Sequence, residues 1–217
     1  MNFQLQNLDR YSEYLIPGHC RGCGWWQGYD DGWPGEHEAN AWRNTACEIF
    51  GTWGKLALAD DQVLGMIQYG PAGLFARSRR LPAGPVSDNA VLISCGCAAE
   101  GSLRTVERSL ITAVLTELKQ RRVDFVEAFC AEAGKNVESC CFFSPDFLRD
   151  CGFYPVRSHK GLKLMRLEIR GTETAGPCRV PRRGLLERIK RRPAPPVPVA
   201  TAGVLKAWPS VEVPRNG

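Results

Sequence analysis

The sequence predicts an α/β domain of the α+β kind, a mixed central sheet with flanking helices, followed by a basic, proline-rich tail. Three observations predict it. Two β-favouring runs, KLALA and VLGMIQY, are separated by the turn formers Asp60, Asp61 and Gln62, so residues 55–69 read as a hairpin. The apolar run VLISCGC, Val91 to Cys97, precedes Leu103, Val106, Leu110, Val114, Leu115 and Leu118, whose three- and four-residue steps line one face of a helix. From Gly171 onward nine Lys/Arg face three Asp/Glu and eight of the fifteen prolines occur, so the tail carries +6 and residues 1–170 carry −1.

The elements follow in chain order. Asn40 to Phe50 is a helix candidate with Trp42 and Ile49 on it, and the hairpin comes next. A loop rich in Arg, Pro and Gly, Arg77 to Pro85, leads into VLISCGC, a short apolar run suited to a buried strand. The long helix runs from about Leu103 to Arg121, with Ser102 as its N-cap. DFVEAF around Phe125 reads as a strand. PDFLRDCGF reads as a short helix from Pro145 closed by Gly152, and LKLMRLEI as a last strand. The order is helix, hairpin, strand, long helix, strand, short helix, strand. RRPAPPVPV, from Arg191, prefers extended polyproline backbone, and a short helix is expected only over Arg183 to Arg191. We divide the chain into a Cys- and Trp-rich segment (1–54) packing on the fold, a core (55–170) and a tail (171–217).

Length and composition exclude several classes. A chain of 217 residues with 44% apolar content buries a real core, which excludes disorder throughout. No run approaches the roughly eighteen apolar residues of a membrane helix, and MNFQLQNLDR has no apolar signal stretch, so a cytoplasmic location and no membrane partner are expected. The ten cysteines are then expected as thiols or metal ligands rather than disulfides.

Cys20 and Cys23 form a C-x-x-C pair, preceded by His19 and followed by His37 and Cys47. Such a pair holds two ligands of a tetrahedral zinc at the right separation, which makes Cys20 and Cys23 the candidate metal ligands; a redox pair and plain thiols are the other readings. Cys140 and Cys141 are adjacent, so their side chains diverge and offer one further ligand at most. Cys95 and Cys97 alternate along a strand, share one face, and read as small apolar filler. Trp25, Trp26, Trp33, Trp42 and Trp53 fall among glycines in the first 53 residues, where they pack a loop-rich segment over the sheet or line an aromatic wall.

The hairpin before VLISCGC, the strand and amphipathic helix from Val91 to Arg121, and FLRDCGF followed by a strand through MRLEI together resemble the GNAT acyltransferase superfamily over about residues 40–170. The chain is also similar to a bacterial subgroup with a cysteine pair near the N-terminus, here HCRGCGWW, and a PVS segment, here PAGPVSDNAVL. The resemblance implies an acyltransferase moving an acetyl or similar group from acetyl-CoA to an amine acceptor. It places the pantetheine arm along Ser94, Cys95, Gly96 and Cys97. The pyrophosphate falls at the helix start, over Ser102, Leu103, Arg104, Thr105, Val106, Glu107 and Arg108, where unsatisfied N–H groups and the helix dipole attract anions. Ser102, Thr105 and Glu107 stand where most members carry Arg-x-x-Gly-x-Gly, and Arg104 and Arg108 flank the carboxylate.

The resemblance also implies a general acid for the departing thiolate. The tyrosine that many members use is Leu148 here, and Tyr154 is the nearest phenol. A base must accept the amine proton, because only the neutral amine attacks a thioester; Glu127 is the first candidate, with Glu100 and Asp88 behind it. Two further readings are a noncatalytic scaffold or weak CoA-binding module, and a nucleic-acid-associated protein using RVPRRGLLERIKRRP as a basic stripe. The body carries no nucleic-acid reading motif, which ranks the last reading below the others.

Overall fold

The structure, a computed structural model, describes residues 2–28, 36–60, 62–98, 103–131 and 142–169. Ser102, Glu100, Trp33, Cys140, Cys141 and the tail from 171 lie outside the described residues. Seven strands form one sheet: β1 (Gln4–Leu8), β2 (Gly54–Ala59), β3 (Gln62–Pro71), β4 (Ala90–Ala98), β5 (Phe125–Ala131), β6 (Tyr154–His159) and β7 (Leu162–Glu168). Their spatial order is β1-β2-β3-β4-β5-β7-β6, antiparallel throughout except for the parallel pair β4–β5. The helices are α1 (Gly18–Arg21), α2 (Glu36–Phe50), α3 (Leu103–Gln120) and α4 (Pro145–Asp150).

The predicted hairpin is β2–β3, with Asp60 in the left-handed region at φ 46°. Three elements, β1, α1 and β6, are absent from the sequence reading. β1 and β6 are the two edges of the sheet; four of five β1 residues and all six of β6 are exposed. With Leu8 of β1 their only buried residue, they carry no alternating apolar pattern, and their pairing is made by backbone. Pro155 is tolerated in β6 because an edge strand leaves one row of N–H groups unused. Helix α2 starts at Glu36 rather than Asn40. Its first turn holds Glu36 and Glu38, which suit the positive end of a helix but carry no apolar periodicity.

Helix α3 covers one face of the sheet. Val106, Leu110, Ile111, Val114 and Leu118 pack on Val91 and Ile93 of β4, Val126 and Ala128 of β5, and Phe147 and Leu148 of α4. Burial of each such side chain contributes about 1.5–3 kcal/mol. Gly65 permits the close approach: a Cβ there would stand 2.7 Å from the Cys97 carbonyl oxygen and 2.9 Å from Val106 Cγ1. Helix α4 is stopped as predicted, Gly152 taking φ 91° after its last turn. Its N-cap is Ser144, whose Oγ accepts the Phe147 N–H at 3.1 Å.

The opposite face is covered by the N-terminal segment, α2 and the connection from β3 to β4. Trp26, Phe75, Leu92, Phe129 and Leu164 make one cluster; Leu8, Ile16, Ala46, Trp53, Leu56 and Met66 make the next. The described tryptophans pack in these clusters. Trp26 stacks on Phe129 with centroids 5.8 Å apart, and Trp42 donates its indole N–H to the Leu74 carbonyl at 2.8 Å. Among the described residues, no helix is long and apolar enough to cross a membrane.

Candidate functional site

The central strands part. β4 and β5 pair only from Ala90↔Phe125 to Ile93↔Ala128. Beyond that, β4 continues to Ala98 on β3 alone, while β5 continues to Ala131 on β7 and exchanges backbone hydrogen bonds with Phe143. The β4–β5 register thus ends at Ile93↔Ala128.

A bulge marks the point of departure. Gln68 pairs with Cys95 but Tyr69 with Ile93, so Ser94 is an extra residue on β4. An extra residue bends its strand and shifts the alternation of side chains. Before the bulge Val91 and Ile93 face α3; after it Ala98 does, while Cys95 and Cys97 pack on the opposite face. Ser94 is buried, and its hydroxyl is satisfied by Gln68, donating to Oε1 at 2.7 Å. Gln68 was missed in sequence reading. Its signal was a lone amide in the apolar run VLGMIQY.

Helix α3 opens at the same end of the sheet, where Gly65 touches both Cys97 and Val106. The structure therefore brings Ser94, Cys95, Gly96 and Cys97 close to the helix start at Leu103 to Arg108. Arg104 and Thr105 are exposed there, Val106 is buried in the core, and Glu107 is half-buried. Burial pushes the Glu107 carboxyl above its ordinary range, the sulfur of Cys97 adds to this, and Arg104 opposes it. Arg108 is committed elsewhere, its Nη2 standing 2.6 Å from Asp150 Oδ2 of α4.

The two proposed proton carriers take other positions. Glu127, expected as the base, is completely buried. Its Oε1 accepts Arg166 Nε at 2.8 Å, Arg166 Nη2 at 2.6 Å and Ser87 Oγ at 3.1 Å; its Oε2 accepts the Ser87 N–H at 2.9 Å. It is an internal anchor that holds the PVS segment to β5 and β7, with no face left for an acceptor amine. Tyr154, expected as the acid, lies on edge strand β6, with β7 and β5 between it and β4. Three strand spacings of about 4.8 Å separate it from the bulge strand. Its phenol donates to Glu168 at 2.7 Å, and that bond holds it above the ordinary phenol range. Leu148, in the place of the familiar tyrosine, is fully buried in the α3 core, and Asp88 is exposed.

The zinc expectation for Cys20 and Cys23 finds no support among the described residues, where no group of three or more His, Cys, Asp or Glu is arranged to hold a metal ion. Cys20 and Cys97 pack on the same apolar cluster, and the Cys97 sulfur, burial and the sulfurs of Cys95 and Cys23 push the Cys20 thiol far above the ordinary thiol range.

No family model matches the chain, and no curated protein matches it in sequence. Solved structures do match. The Salmonella typhimurium protein yncA, solved with its cofactor acetyl-CoA, superposes with a TM-score of 0.53 at 15% identity, over 81% of this chain and 97% of its own. An N-acetyltransferase from Staphylococcus aureus Mu50 gives 0.52 at 12% identity, over 78% of this chain and 100% of its own. The ribosomal-protein-alanine N-acetyltransferase from Brucella melitensis gives 0.50 at 15% identity, over 76% and 99%. Identities this low speak to architecture alone, and the architecture is plain: this chain has the GNAT fold of N-acetyltransferases.

Proposed function

We propose that the protein is an N-acyltransferase that moves an acetyl or similar acyl group from acyl-CoA to an amine by direct attack. The observation that carries this reading is the parting of β4 from β5 after Ile93 and Ala128, beside the start of α3. Past that point β4 runs on with β3, and the proposed pantetheine arm lies along Ser94, Cys95, Gly96 and Cys97, where its amides meet main-chain N–H and C=O groups on the edge turned toward β5. The first turn of α3, with Ser102 before it and Leu103, Arg104, Thr105, Val106 and Glu107 in it, supplies N–H donors and the positive dipole end to a pyrophosphate. Glu107 stands in that turn with Arg104 opposing its charge, so its carboxylate works against a bound phosphate.

In the reaction the neutral amine attacks the thioester carbonyl, a C–N bond forms, the C–S bond breaks, and CoA leaves as thiolate. The nitrogen loses one proton and the sulfur gains one. With Glu127 and Tyr154 engaged elsewhere, we assign these transfers to water rather than to a side chain. A second reading, the fold kept as a scaffold or weak CoA-binding module, is favoured by Leu148 lying in the core where the familiar phenol stands.

Calorimetric titration of the full chain with acetyl-CoA and with desulfo-CoA tests both. Saturable binding of each is expected, with acetyl-CoA consumed when a panel of amines is added. Folded protein that binds neither would overturn the proposal, and binding without turnover would leave the module reading.

A further inference from the structure

The bulge on β4 is held from β3 by one side chain. Ser94 has no register partner on β3, where Gln68 pairs with Cys95 and Tyr69 with Ile93, and it lies just past the last β4–β5 pair, Ile93↔Ala128. An extra residue of this kind is left out of the ladder, so strand pairing does not fix its direction. Gln68 supplies what the ladder omits. Its Oε1 accepts the Ser94 hydroxyl at 2.7 Å and the Cys95 thiol at 3.8 Å, while its main-chain carbonyl oxygen lies 3.3 Å from Ser94 Oγ. Gln68 and Ser94 are both buried, in strands whose neighbouring positions Met66, Ile67, Leu92 and Ile93 are apolar and buried as well. Two apolar residues would fill such places at little net cost, because replacing both partners of a hydrogen bond by apolar groups of similar shape is nearly neutral. Stability alone does not call for this polar pair. What the pair fixes is the direction of the bulge.

The place of the bulge gives that direction a use. The first turn of α3 opens beside Cys97, where Gly65 lets the Cys97 carbonyl and Val106 approach. The gap between β4 and β5 closes at Ile93↔Ala128. An acyl-CoA whose pyrophosphate sits at that turn runs back along Cys97, Gly96 and Cys95 and brings its thioester to Ser94. Resting on this acyl-CoA reading of the site, we propose that Gln68 is a positioning residue for acyl transfer: through Ser94 and Cys95 it aims the main-chain edge of the bulge at the thioester carbonyl oxygen. An N–H held there stabilises the negative charge that the oxygen gains as the amine attacks, and a donor fixed beforehand spends nothing on reorganisation. Gln68 itself touches no reacting atom. It acts through the residue that the ladder leaves out.

Calorimetry of the full chain with acetyl-CoA and with S-ethyl-CoA, the thioether in which a methylene replaces the carbonyl, reads the aim of the bulge. The parent should bind acetyl-CoA about fivefold more tightly than the thioether, through the added hydrogen bond. Gln68→Leu should bring that ratio to about one while the affinity for S-ethyl-CoA stays within about twofold of the parent. Ser94→Ala should do the same, and the double variant should lose no more than either single one, because the two residues share one contact. Ser94→Thr, which keeps the hydroxyl, should retain the ratio. If Gln68→Leu fails to fold, the two Ser94 variants carry the test. A merely structural role would lower the melting temperature and weaken both ligands alike, so an unchanged ratio in folded Gln68→Leu or Ser94→Ala overturns the proposal. A parent that binds both ligands equally overturns it too. A parent that binds neither overturns the acyl-CoA reading and the proposal with it, which sets that failure apart from a failure of Gln68 alone.

Discussion

Arg166 reaches Glu127 across the β5–β7 pair with two guanidinium nitrogens on one carboxylate oxygen, and Ser87 closes on both oxygens. A charge buried this completely is tolerable only because it is paired and hydrogen-bonded. Glu127→Gln is therefore expected to cost about 2–4 kcal/mol in urea unfolding, while the CoA affinity of the folded fraction stays unchanged. A general base would show the reverse, lost turnover with little lost stability. At Glu107 the folded pKa lies above the unfolded one, so the charged form disfavours the folded state and stability falls as pH rises through that window. Glu107→Gln removes the charge and keeps a helix former. It should raise stability at neutral pH and tighten CoA binding by about 1 kcal/mol, read by calorimetry. No residue-level pattern distinguishes these two glutamates in the sequence. One is an anchor and the other a half-buried neighbour of the proposed anion turn, because register and burial differ.

Helix α3 is tied to the sheet by a polar contact as well as by its apolar face. Glu117 takes Lys55 Nζ of β2 at 2.5 Å, the Tyr69 hydroxyl of β3 at 2.9 Å and Arg121 at 2.7 Å. Burial alone would raise the Glu117 carboxyl, but the bonds from Lys55 and Tyr69 outweigh it and leave it below its ordinary range. The same burial and the neighbouring carboxylate push the Tyr69 phenol far up, so it stays the donor. A lowered carboxyl stabilises the fold fully above its unfolded pKa and loses that contribution as pH falls through its folded pKa. Urea midpoints of the parent and Glu117→Gln should thus differ at neutral pH and converge in acid. A constant gap would deny the pairing. At α4, Ser144→Ala should cost about 1 kcal/mol through loss of the N-cap. The amphipathic period of α3 was legible because its partners lie three and four residues away. β1 and β6 were not, since edge strands owe their place to backbone pairing.

At the scale of the whole molecule, the composition of residues 171–217, with eight prolines and a net positive charge, offers little apolar surface to offset ordering entropy, and we propose that the fold does not depend on them. Truncation after Arg170 should leave the thermal midpoint within about 2 °C of the full chain, whereas a drop of several degrees would show that the segment docks. The sequence by itself determined the class of fold: a hairpin, a buried strand, a long amphipathic helix and a second strand in that order. Those signals are local, written in the periods of two and 3.6 residues that backbone geometry imposes. Only the tertiary structure decided where the β4–β5 pair ends, that Ser94 is an extra residue, and that Glu127 meets Arg166. Each of these depends on strand register and on contacts between residues far apart in the chain. A shift of one residue turns a side chain to the other face of the sheet, and no local pattern of residue types specifies it.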